Sequence, residues 1–349
     1  MPYLPYSLCF PCSLCLPQLI ISIVNKENWY SVEERNPTYL LYCYKLSVNI
    51  MSQTPESLKA TLDSVQDLYS VVKTMKALAA VSIRQYEQAV ESLVEYNRTV
   101  EMGFQILAKE RYFAGKSLIL TIKEKNNLPD PNIGAIILGS DQGLCGQFNE
   151  NMAKYAKDKL QSFSKPENLF VATVGSRLLP YFKTSSYQLA NQFMLPTSTE
   201  GIGETVQDIL LMLDNWQEKH KICKILLFYN QPTSGSSYRS YYQQLLPLDR
   251  DWLRSLERKD WPTHTLPTFT MNWQDLFKEL ISQYLFVSLY RAVAASLASE
   301  NASRLAAMQS AQKNIEEHLD ELNGQYRRQR QSAITSELLD VVAGFEALT

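Results

Sequence analysis

Apolar residues recur at a spacing of seven along the stretch that begins at Leu58: Leu58, Val65, Val72, Ala79, Tyr86, Leu93, Val100 and Leu107. A second series, Leu62, Tyr69, Lys76, Ile83, Val90, Asn97 and Phe104, sits four residues after the first. No proline interrupts the pattern, and its period of seven is that of a left-handed coiled coil. The other end of the chain repeats it. Leu280, Val287, Ala294, Asn301, Met308, Ile315 and Leu322 are trailed by Tyr284, Arg291, Ala298, Leu305, Gln312, Leu319 and Tyr326. This predicts a helix from about Trp273 to Phe345, on the order of 100 Å long. Isolated helices are marginal in water, so each seam needs a partner, and the other seam is the simplest one. An antiparallel pair follows if the chain returns through the residues between them.

Small residues cluster in both helices, at Ala77, Ala79 and Ala80 and at Ala292, Ala294, Ala295, Ala298, Ala302, Ala306 and Ala307. They predict a rod that is slender over part of its length. The last turns differ. Ile334, Leu338, Leu339, Val341, Val342, Phe345 and Leu348 cover more than one helical stripe, so one partner helix cannot cover them and a sleeve of another protein is expected.

Residues of about 130 to 265 change period. Apolar, β-branched runs at 133–139, 169–175 and 222–229 have strand length, and helical patterns at 150–163 and 203–218 separate them. Strands alternating with helices predict a small α/β layer with a largely parallel sheet. The fold class is therefore α/β: a central, Rossmann-like domain at 128–266 between coiled-coil helices at 51–115 and 271–349. Residues 1–50 show no amphipathic period and read as an extension outside the functional protein. Met51 opens a segment with capping residues Thr54 and Ser57 and a proline suited to a first helical turn. Translation is expected to start at Met51; an intact mass of native protein beginning at Met1 would overturn this.

Composition removes several classes of function. The 349 residues carry 34 Lys plus Arg against 36 Asp plus Glu, a formal charge of −2, which argues against a general nucleic-acid binder or a polybasic membrane-surface protein. Of six cysteines, four fall in the first fifty residues, so the body does not read as a disulfide framework. Cys9, Cys12 and Cys15 open a ferredoxin-like run, but position 19, where the fourth ligand belongs, is Leu. No metal site and no cofactor is expected.

One loop carries candidate chemistry. After the first strand the chain reads G-S-D-Q-G-L-C-G-Q-F-N, with Gly139, Gly143 and Gly146. A glycine-rich turn between strand and helix can cradle phosphate, yet the spacing matches neither a P-loop nor a dinucleotide fingerprint. A tight turn or close protein contact is the stronger reading, and a nucleotide site remains the alternative. Cys145 has no evident His partner among His220, His264 and His318, so no catalytic residue is assigned.

Three blocks in this order match a family. They are V-Q-D-L-Y-S-V-V-K-T-M-K-A-L-A-A from Val65, S-D-Q-G-L-C-G-Q-F-N from Ser140, and S-L-A-S-E-N-A-S-R-L-A-A-M with R-Q-S-A-I-T-S-E-L-L-D-V-V-A-G in the last helix. From about Thr54 to Leu348 the chain resembles the gamma subunit, the central rotor shaft, of a bacterial-type F-type ATP synthase. Gln142 replaces the arginine common in the middle block. The resemblance implies a non-catalytic subunit, one copy per complex. Its helices penetrate the ring of alpha and beta subunits, and its α/β domain meets the epsilon subunit and the membrane c-ring. Ion flow through the ring would turn the shaft and drive ATP synthesis, or hydrolysis would turn it in reverse.

It further implies that Arg330 and Gln331 contact a catch loop of beta with Thr335 one turn on, and that Met75, Lys73 and Lys76 face the beta lever. Gly143, Leu144, Cys145 and Gly146 match a family loop with no assigned role. The implied location is peripheral, on the cytoplasmic face of a bacterial plasma membrane or on a thylakoid membrane. The photosynthetic form carries a regulatory Cys pair in an insertion; here Trp216 to Ile222 closes that region with only Cys223 nearby, so thiol control is not expected. The alternatives are a nucleotide-binding α/β enzyme with coiled-coil arms and a coiled-coil scaffold.

Overall fold

The computed structural model describes residues 54–113, 132–163, 165–183, 187–233, 237–261, 263, 265 and 267–347. The cysteine-rich first fifty residues, Met51, His264 and Leu348 lie outside them. Two helices open the described chain, α1 (Pro55–Ser92) and α2 (Val94–Phe113), separated at Leu93 by a single turn residue. The expected helix cap is observed: Thr54 Oγ1 accepts the Ser57 amide at 3.3 Å, with Pro55 at the first helical position.

Next come β1 (Ile133–Leu138), α3 (Phe148–Gln161), β2 (Leu169–Val174), the short α4 (Leu179–Lys183) and β3 (Gln188–Phe193). Then follow α5 (Ile202–His220), β4 (Lys224–Pro232), β5 (Tyr238–Leu246), α6 (Arg250–Arg258) and the 74-residue α7 (Trp273–Glu346). The five strands form one sheet in the order β3-β2-β1-β4-β5. β1 to β4 pair in parallel and β5 runs antiparallel against β4.

The two strands that periodicity missed are the sheet's edges. β3 (QLANQF) is largely exposed and β5 (YRSYYQQLL) half-exposed, so neither shows the apolar run that marks a buried parallel strand. β1 and β2 are buried at every residue. One face of the sheet is covered by α3, through Met152, Ala153, Ala156 and Leu160. The other receives α5, Tyr86 and the Leu285–Ala298 stretch of α7.

By contacts the chain divides into two units, one of residues 63–321 and one that includes 54–62 and 322–347. In the first, cross-helix contacts fix an antiparallel pair. Tyr69 bonds to Glu316, Lys76 to Gln312 and Tyr96 to Gln283, so residue numbers rise on one helix as they fall on the other. Nearly all heptad positions of α1 and α2 are buried or half-buried. On α7, Arg291 is the exception: it is exposed, because residues 292–302 are enclosed by the α/β core as well as by the helix partner, and Arg291 takes the one outward direction. The alanines there have a different use from the one expected. Ala292, Ala294, Ala295 and Ala298 lie in the core shared with the sheet, where a small side chain lets the helix seat closely on Ile136, Leu138 and Trp216. In the second unit, Leu58 and Leu322 are the buried hydrophobic residues among those described.

Candidate functional site

In an open parallel sheet, ligands settle outside the carboxyl ends of the strands where the strand order reverses. Here β1 sits between β2 and β4, and the loop Gly139–Gly146 leaves its carboxyl end. The protein's own groups fill that position. A Cβ on Gly139 would lie 2.3 Å from Leu178 Cγ, and one on Gly175, whose φ is 108°, would lie 2.8 Å from the Ser140 nitrogen. The two glycines thus let the loops after β1 and β2 touch.

The polar atoms of the loop are engaged in the same way. The Ser140 amide donates to Asn149 Oδ1 at 2.9 Å, Asn149 Nδ2 donates to Ser140 Oγ at 2.7 Å, and that hydroxyl donates to the Gln142 carbonyl at 2.9 Å. Asp141 receives the Ser176 amide at 2.7 Å and also the Leu195 amide, tying the loop to the ends of β2 and β3. Leu144 (φ 62°) and Gly146 (φ 58°) are both left-handed. The Cys145 carbonyl between them accepts Ser303 Oγ of α7 at 2.7 Å. Burial pushes the Cys145 thiol up, away from a reactive thiolate. The arrangement is a protein-to-protein joint, which favours the close-contact reading over a phosphate cradle.

The residues assigned to partner contact fall in both units. In the first, Lys73 is exposed and Met75 and Lys76 are half-buried. Lys76 Nζ donates to Gln312 Oε1 at 2.9 Å, so its charge is turned into the helix seam. Gln312 Nε2 in turn donates to Glu316 Oε1 at 2.9 Å, which also accepts Tyr69 OH at 2.9 Å. Hydrogen bonds from Gln312 and Tyr69 hold the Glu316 carboxyl below its ordinary range, and the same carboxylate raises the Tyr69 hydroxyl. In the other unit, Arg330, Gln331 and Thr335 are all exposed, and Thr335 Oγ1 donates to the Gln331 carbonyl at 2.8 Å. Beyond them Leu338, Leu339, Val341 and Phe345 are between 62 and 74% exposed among the described residues.

The family described as ATP synthase matches residues 54–348. The ATP synthase gamma chain of Buchnera aphidicola subsp. Diuraphis noxia is 27% identical over 297 residues, 84% of this chain and 98% of that one. That of Christiangramia forsetii is 26% identical over 296 residues, again 84% and 98%. The chain belongs to the ATP synthase gamma-chain family. A similar fold is seen in a chain of the Euglena gracilis mitochondrial ATP synthase, solved as OSCP/F1/c-ring in rotational state 3. It has a TM-score of 0.56 and 17% identity, and covers 84% of this chain and 94% of that one.

Sequence reasoning picked out this gamma chain's loop but not what holds it. Glu300, Ser303 and Arg304 lie within the quoted S-L-A-S-E-N-A-S-R block, yet only as part of a match. Their signal was present: together with Ser299 and Asn301 they form a polar run between the apolar and small residues on either side, Val293 to Ala298 and Leu305 to Met308. A groove lined by Asn97, Glu101, Arg239, Tyr242, Tyr284 and Arg291 was also missed, because one of its walls is β5.

Proposed function

We propose that this chain is the central rotor shaft of an F-type ATP synthase. Its turning would couple ion flow through a c-ring to ATP synthesis or hydrolysis in a ring of alpha and beta subunits. The observation that carries this reading is the family match over residues 54–348, which spans both long helices and the domain between them. The physics of the chain agrees with it. A seam of buried and half-buried heptad positions joins the two long helices, and an apolar end that is exposed among the described residues suits an enclosing bearing.

In this reading the subunit has no active site of its own, in keeping with a buried Cys145 and a loop whose polar groups are engaged internally. Exposed Arg330 and Gln331 meet the beta catch loop with Thr335, and Met75 and Lys73 face the beta lever. Lys76, turned toward Gln312, acts there through the seam. The α/β domain meets the epsilon subunit and the c-ring, and the chain reaches the cytoplasmic face of the membrane through these partners.

Co-expression with cognate alpha and beta subunits is expected to give an ATP-hydrolysing complex holding one copy of this chain. Failure to co-purify, or micromolar ATP binding by the chain alone, would overturn the reading. A sharper test uses Arg330→Ala. A charge-assisted contact contributes roughly 1.5–3 kcal/mol, so turnover of the complex is expected to fall by about tenfold or more. Because Arg330 is exposed, the thermal midpoint of the free chain should not move. Unchanged turnover would reject the catch role.

A further inference from the structure

The place where α7 leaves the sheet is built unlike the rest of its path. From Leu285 to Ala298 the helix is held by apolar contacts with the sheet and α5. The next turn and a half changes to polar side chains that are buried. Ser299 is fully buried, and its single hydroxyl proton is shared between the Ala295 carbonyl of its own helix at 2.8 Å and the Asn230 carbonyl, near the end of β4, at 3.1 Å. One turn on, Ser303 Oγ donates to the Cys145 carbonyl at 2.7 Å. Arg304, 6% exposed, places Nη2 3.5 Å from the Gly143 carbonyl. Its guanidinium is held by an ion pair with buried Glu300 and by Asn301 Oδ1 at 2.8 Å.

Resting on the rotor reading above, we infer that Ser299, Ser303 and Arg304 form a clasp that carries turning force between the α/β domain and the long helix. Apolar contact is non-directional: it resists separation but sets little preference against rotation or sliding. Hydrogen bonds depend steeply on angle and distance, so they resist both motions. Ser303 grips the loop after β1, Arg304 reaches toward the same loop, and the Ser299 hydroxyl, shared with Ala295, approaches the end of β4. That loop is braced through Asp141 to the ends of β2 and β3, so a load on the helix spreads over four strands.

The placement also fits the mechanics. These are the last residues of α7 in this set of bonds, just before the helix passes from the α/β core to its seam with α1 at Gln312 and Glu316, so force between the domain and the helix pair crosses there. Burying Glu300 and Arg304 costs desolvation, and a buried ion pair is weak evidence of added stability, so geometric definition of the joint is the better account of its presence. Ser303 and Arg304 are positioning residues: they act through the loop and touch no nucleotide.

The test uses the complete complex in sealed vesicles, with ATP-driven ion pumping and ATP hydrolysis measured together. Ser303→Ala is expected to raise amide exchange at Gly143 to Gly146 by roughly tenfold, the effect of losing one buried hydrogen bond. It should also lower ions moved per ATP hydrolysed. Ser303→Thr, which keeps the hydroxyl, should restore both. The paired change Glu300→Gln with Arg304→Met removes the second grip without leaving a buried charge and should lower the same ratio. Faster loop exchange with an unchanged ratio in both variants would overturn the clasp, as would unchanged exchange. Unsubstituted chain that fails to assemble or pump would instead overturn the rotor reading, and the clasp with it.

Discussion

Glu300→Ala is expected to lower the unfolding free energy of the free chain by about 3–5 kcal/mol, the cost of leaving a buried charge without its partner. Both members of the Glu300–Arg304 pair are nearly inaccessible, with side chains 6 and 7% exposed. Once the carboxylate is gone, Arg304 retains Asn301 and the distant Gly143 carbonyl, and its Nε has no partner even in the intact protein. Pairing Glu300→Ala with Arg304→Met should recover much of the loss, because the orphaned charge leaves with the arginine. Urea denaturation of the three variants measures this directly. Equal losses for the single and double changes would mean that packing, not charge, sets the cost.

The same pair gives a pH dependence of known sign. Burial raises the Glu300 carboxyl above its ordinary 4.5, with Arg304 acting in opposition. A carboxyl raised in the fold binds a proton more readily there than in the unfolded chain. Its contribution to stability is therefore greatest at low pH and is lost as pH rises from the unfolded value through the folded one. Glu300→Gln should remove that slope, and a stability curve of unchanged slope would show that other groups cause it.

The second large effect is expected at Phe104→Ala, again about 3–5 kcal/mol. Phe104 is fully buried on α2 and meets Trp252 of α6 edge-on at 5.5 Å between ring centres, and Phe277 and Tyr284 of α7 at 6.2 Å each. Trp252 and Tyr284 also meet each other, at 5.4 Å, so Phe104 completes an aromatic cluster that joins the three helices, and its removal leaves three rings facing a cavity. Phe104→Leu, which keeps most of the volume, should cost less than about 1.5 kcal/mol. Thermal unfolding of the full chain distinguishes the two. A small loss for the alanine variant would show that α6 collapses onto the space.

The long helices were legible because their signal is one-dimensional: a heptad period needs no knowledge of the rest of the chain. The inner strands were legible because burial on both faces makes them continuously apolar, whereas β3 and β5 were hidden by the polarity of an edge. Arg291 shows the limit of period alone. It occupies a seam position by spacing, but the seam there is replaced by a third layer, and which residue faces outward depends on the sheet. The glycines of the loop announced a special backbone. What they could not announce was Ser303 and Arg304, 158 and 161 residues away along the chain. Contacts at such separation exist only once the topology has been built.

The polar rungs of the helix seam have one more consequence. Coiled coils of uniform apolar pattern can slip by a heptad and still bury the same kinds of residue. Here a shift of seven residues, about 10 Å along the axis, would take Lys76 from Gln312 to Leu305 or Leu319 and leave its ammonium against an aliphatic side chain. Tyr69 would lose Glu316 in the same movement. The helix pair is in effect splined: it has one permitted axial register, and its working length is fixed by chemistry rather than by the close fit of its surroundings.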